Sequence, residues 1–148
     1  QVQIAMLEDL HADADSASAM ISRIESVRRQ VLDARDILTE QGGQDEIIAA
    51  ATALDQTLIE VEEGLFQMRA TGTGQDGVRY PSRLMERLGY LFNTTSIGDF
   101  PPTDQQGEVH VILKERLALI AIALDAVLDD DLEEFNRLLQ SLGIQIVS

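Results

Sequence analysis

YPSRLMERLGYLFNTTSIGDFPPT, residues 80–103, decides how the chain folds. It holds all three prolines, Pro81, Pro101 and Pro102, and it separates two long stretches of helix-like sequence. Its middle, Leu84, Leu88 and Leu91 with Met85 and Phe92, is an apolar stripe at helical spacing. Pro81 suits a first helical turn, where a missing N–H leaves nothing unsatisfied. The spacing predicts a short helix opening at Tyr80-Pro81-Ser82, ending near Asn93 and packed between longer neighbours. Pro101-Pro102 then hold the chain extended. Thr103, with Gln106 three residues on, fits a capping box for the next helix.

Upstream, nothing breaks a helix between Val2 and Gln41: there is no Gly and no Pro. Leu7, Leu10, Ala14, Ala17, Ile21, Ile24, Val27, Val31, Ala34 and Leu38 step by three and four, the seam of a helix packed in a bundle. At about 1.5 Å per residue this is a rod of roughly 60 Å, which has to find partners along its length. Gly42-Gly43 supplies its stop. A second helix is expected from Gln44 to Ala70, with Ile47, Ala51, Leu54, Leu58, Val61, Leu65 and Met68 inward. Asp45, Glu46, Asp55, Glu60, Glu62 and Glu63 fall on its outer face. Gly64 interrupts it at a cost of about 1 kcal/mol relative to Ala, as a close neighbour would require. Residues 71–77, TGTGQDG, form a loop.

Downstream, a helix from Asp104 to Leu128 turns Val109, Ile112, Leu113, Leu117, Ile120, Leu124 and Val127 inward. Ile122 and Ala123 thicken that stripe, which makes this the most enclosed helix expected. Asp129-Asp130-Asp131 reads as a junction whose Asp caps a last helix through Leu142, with Leu132, Phe135, Leu138 and Leu139 inside. Gly143 ends it, and an apolar tail from Ile144 lies back on the bundle. The fold class is all-α: an antiparallel four-helix bundle with a short inserted third helix and a short C-terminal helix, in one domain over residues 1–148.

Composition narrows function by exclusion. A net charge of −15 lacks the basic footprint that nucleic acid or anionic lipid requires. The absence of cysteine removes thiol catalysis, disulfides and thiolate metal sites. No segment approaches the roughly 20 apolar residues of a membrane span, so membrane insertion is not expected. The chain begins in helix-like sequence at Gln1, as a mature product or an excised piece of a longer protein would.

The candidates for chemistry read as structural. A carboxylate-bridged metal pair wants Glu-x-x-His on two helices. Glu8 and His11 have that spacing once, whereas Glu108 and His110 are two apart and diverge. A phosphotransfer histidine is followed by Lys-Gly at fixed offsets, which neither His11 nor His110-Val-Ile-Leu-Lys114 provides. Both histidines read as surface or boundary residues. Glu62 and Glu63 diverge by about 100° on a helix and cannot flank a substrate. Asp129 to Asp131 lack the alternation of a calcium loop. No catalytic residue, metal ligand or cofactor is expected.

YPSRLMERLGYLFNTTSIGDFPPTDQQ, DDDLEEFNRLLQSLGI, SRIESVRRQVLDAR and EEGLFQ together resemble the helical C-terminal region of bacterial sortilin-like β-propeller proteins. These carry BNR repeats and are catalogued as glycosyl hydrolases. The resemblance implies a module that follows a large propeller and is exported, to the periplasm or beyond the cell. The hydrolase label belongs to the propeller, so no catalytic residue carries over. The expected function is a non-catalytic structural or interaction module, packed on its own propeller or another protein. The alternative is an accessory domain shaping the substrate entrance of a glycosidase-like parent. Self-association into a homo-oligomer is a third expectation. Tyr80, Asp99 and Phe100 are the expected partner contacts, with the two rings closing the bundle's end as the other reading.

Overall fold

The computed structural model describes residues 1–68, 83–98 and 100–148. The fold is all-α, and no strand occurs among the described residues. The helices are α1 (Val2–Gln41), α2 (Asp45–Leu65), α3 (Leu84–Ile97), α4 (Asp104–Ala126) and α5 (Leu132–Ser141). A π-helical turn, Val127–Asp131, joins the last two. Contacts group Gln1–Met20 with Glu63–Ala121, and Ile21–Glu62 with Ile122–Ser148. Each group is described by itself.

In the first group, the start of α1 packs with α3 and α4. The buried row of α1 here is Met6, Leu10, Asp13 and Ala17, with Gln3 half-buried one turn before. The sequence offers two rows with the same three–four step, and the structure takes the one through Met6 and Asp13 instead of Leu7 and Ala14. α3 buries Leu84, Leu88, Leu91 and Thr95. It continues to Ile97, one turn past Asn93, because Gln3 Nε2 donates to Thr95 O and Gly98 O, both at 2.7 Å. Those are carbonyls that a helix end leaves without partners. The proposed opening at Tyr80-Pro81-Ser82 lies outside the described residues. At the start of α4 the capping box is present: Thr103 N–H donates to Gln106 Oε1 at 2.9 Å, and Gln106 N–H to Thr103 Oγ1 at 3.1 Å.

α2 stops at Leu65, short of Ala70, which is outside the described residues. A glycine one residue before the end weakens the last turn. Beyond it, Gln67 N–H donates to Glu86 Oε1 on α3 at 2.6 Å. A Cβ built on Gly64 would stand 3.3 Å from Ile120 Cδ1, so this glycine does sit beside a close neighbour.

In the second group, α1 reverses at Gly42 and Gly43, with φ of 73° and 82° that other residues rarely adopt. α2 then runs antiparallel to α1, so that Arg35 meets Thr52 and Arg28 meets Asp55. The core is Ile24, Val27, Val31, Leu38, Leu54 and Leu58 with Leu124, Phe135 and Leu139.

The three aspartates do not make a junction. Asp131 has helical dihedrals and caps nothing with its side chain; the chain passes from α4 to α5 through the π turn. The reason lies in the apolar spacing. Buried residues fall at His110, Leu113, Leu117 and Leu124 on α4 and at Val127 as the π turn opens, in steps of three, four or seven. The next buried residue is Leu132, five on, followed by Phe135 and Leu139. A regular helix would turn Asp130 or Asp131 inward and Leu132 outward; a π turn takes up the one surplus residue.

α5 ends in a Schellman motif, with Ile144 N–H donating to Leu139 O and Gly143 N–H to Gln140 O, and Gly143 at φ 71°. The tail lies back as expected. Asn136 Nδ2 donates to Val147 O, Val147 N–H returns to Asn136 Oδ1, and Val147 is buried.

Candidate functional site

Two polar clusters sit inside apolar surroundings. In the first, His110 Nε2–H donates to Asp13 Oδ2 at 2.9 Å, and Lys114 Nζ reaches Asp13 Oδ1 at 3.2 Å. Asp13 and His110 are both buried, so His110 is a core residue and not the surface or boundary residue its sequence suggests. The shared phase explains this: Asp13 lies between Leu10 and Ala17, and His110 precedes Leu113, each in step with its helix's buried row. His11 is exposed beside Asp15.

In the second cluster, Glu62 is 0% exposed, a correction to its expected place on the outer face of α2. Leu58 and Leu65 bracket it at four and three residues, so it occupies the inward row in place of the half-buried Val61. Asp55, seven residues earlier, lies on the same side of the helix. Arg28 bridges the two: its Nε donates to Asp55 Oδ1 at 2.7 Å and its Nη1 to Glu62 Oε2 at 3.3 Å. Burial, and then the neighbouring Glu25 carboxyl, push the Glu62 carboxyl up to about 7 against the pull of Arg28. Asp55 above all raises Arg28. Glu62 Oε1 has no hydrogen-bond partner. With both ionised, Glu62 and Glu25 repel, which favours a protonated Glu62.

Among the described residues no three His, Asp or Glu side chains gather in a group that could hold a metal. Apart from Glu62 Oε1, the carboxylates of the two clusters bond to the cations packed beside them, as buried charge requires. Asp129, Asp130 and Asp131 are exposed, as is Glu63.

The accessible feature is a groove of about 830 Å³ between α3 and α4. α3 contributes Arg87, Tyr90 and Thr94 to it, and α4 contributes Val109, Ile112 and Arg116. A smaller cleft of about 260 Å³ shares Arg87 and Arg116 and adds Arg83, Leu84, Leu119 and Gly64. Tyr90 is 72% exposed, Leu119 67% and Ile112 48%. α4 is therefore not the most enclosed helix: Val109 and Ile112, expected inside, face the groove, and Ile122 is exposed as well. The stripe in α4 is narrower than its composition, because His110 takes an inward place that an aliphatic residue would otherwise fill.

Of the expected partner contacts, Tyr80 and Asp99 lie outside the described residues. Phe100 is 81% exposed, so its ring does not close the bundle's end. Among the described helices none is long and apolar enough to cross a membrane. No family model, curated protein or solved structure matches the chain.

Proposed function

We propose that this chain is a non-catalytic interaction module whose docking face is the α3–α4 groove. The observation that carries this reading is the row of exposed apolar side chains along the groove and the adjoining cleft, Tyr90, Val109, Ile112 and Leu119. A contiguous apolar surface rimmed by polar residues is the usual mark of a protein contact. The sequence likeness of residues 80–106 to the helical region of sortilin-like proteins supports a β-propeller as the partner, in the same polypeptide or another, and an exported location.

The test is a photo-crosslinking residue placed at Ile112, with Glu60 as the control, in the protein in its native source. A discrete adduct to a β-propeller from Ile112 alone is expected. Equal labelling from both positions would remove the groove from the account.

A further inference from the structure

Arg83, Arg87 and Arg116 converge on the cleft, and among the described residues no carboxylate lies within ion-pair distance of any of them. They are three of only eleven basic residues in a chain of net charge −15. Glu86 also lines the groove, but its two oxygens accept backbone N–H groups, from Gln67 at 2.6 Å and Arg83 at 3.3 Å. The N-terminus of α3 adds partial positive charge at the same end. At the other end the lining is neutral: Thr94, Thr103, Gln105 and Gln106.

The shape restricts the ligand further. Val109, Ile112, Arg116 and Leu119 recur on α4 at steps of three, four and three, while Arg83 at the N-cap of α3 is followed by Arg87 and Tyr90 at four and three. The two rows make a trough about 15 Å long, three turns of a helix. Its walls are helix surfaces whose backbone groups bond within their own helices, so no strand edge is offered. An occupant must then satisfy its own backbone, which an α-helix does and an extended peptide does not.

Resting on the docking face assigned above, we infer that the groove receives an amphipathic helix of a partner protein, with acidic residues clustered in one terminal turn. Its apolar face lies on Tyr90, Val109, Ile112 and Leu119, and its carboxylates meet Arg83, Arg87 and Arg116. Acids at a helix N-terminus are themselves favoured, so that turn is the partner helix's first. Elsewhere the acidic surface of this chain repels such a helix, which confines it to the groove.

Fluorescence anisotropy with three synthetic helices of roughly 18 residues tests this. All share one leucine row and differ in a first turn carrying Glu, Gln or Lys. The Glu peptide should bind tightest, with about tenfold weaker binding for the Gln peptide and steep weakening by salt. Arg87→Glu with Arg116→Glu should move the preference to the Lys peptide, and Arg87→Gln with Arg116→Gln should remove any preference. Equal binding of the Glu and Gln peptides by the unaltered chain would overturn the acidic helix and leave the docking face standing. Failure of every peptide to bind, with equal photo-crosslinking from Ile112 and Glu60, would overturn the docking face itself. A concentration-dependent dimer abolished by Ile112→Ser would replace the partner helix with a second copy of this chain.

Discussion

At the scale of single residues, the chain keeps its ionisable chemistry as internal structure. Asp13→Ala leaves His110 and Lys114 facing an empty site and should cost about 2 kcal/mol in urea unfolding. Replacing the buried pair together, Asp13→Leu with His110→Leu, should cost less than about 1 kcal/mol or stabilise, since a buried polar pair seldom outperforms well-packed apolar groups. A large loss in the double variant would show that the pair does more than fill its place. Glu62 gives a pH signature. Its folded carboxyl titrates near 7 against an ordinary 4.5. Between those values the folded state holds a proton that the unfolded state has lost. The contribution of Glu62 to stability is therefore fully present below 4.5, is lost as pH rises through about 7, and stays lost above it, a change on the order of 3 kcal/mol. Glu62→Gln should flatten that slope in unfolding at pH 5 and 8, and raise stability at pH 8; an unchanged slope would contradict the assignment. None of this was evident in composition. An aspartate between Leu10 and Ala17, and a glutamate between Leu58 and Leu65, fit the helical step as well as their apolar neighbours do. Only the opposing residue, Arg28 or His110, decides which is turned inward.

At the scale of elements, the legible features were those set by backbone chemistry. Gly42-Gly43, the Thr103–Gln106 box, the Gly143 stop and the returning tail follow from local rules that need no tertiary partner. The π turn does not, although its trace is visible once the five-residue step from Val127 to Leu132 is noticed. That step makes a specific prediction. Deleting Asp130, which is exposed and ion-paired to nothing among the described residues, should convert the π turn to regular helix and keep Leu132, Phe135 and Leu139 inward. The unfolding free energy should move by less than about 1 kcal/mol. Deleting Ala123 instead, within the regular part of α4, shifts every later inward residue by about 100° and should cost several kcal/mol. Equal losses in the two deletions would mean that the turn is not a register device. The α3–α4 groove was hidden for a related reason. Val109, Ile112 and Leu119 are apolar, and apolar residues on a helix are assigned to the core unless something shows that the core is already full.

At the scale of the whole molecule, an all-α chain of strong negative charge presents an apolar groove edged by arginines that, among the described residues, have no carboxylate partner. Under the proposed function a β-propeller is the neighbour, and the groove supplies a surface for such a neighbour to hold. The central claim is that this face is built for a partner and contributes little to the fold of the chain alone. The most direct measurement is the urea-unfolding free energy of the purified chain carrying Tyr90→Ser, Ile112→Ser and Leu119→Ser. These side chains stand in solvent, so the account predicts a change of about 1 kcal/mol or less for the three together. A loss of several kcal/mol would place them in the core and contradict the docking face.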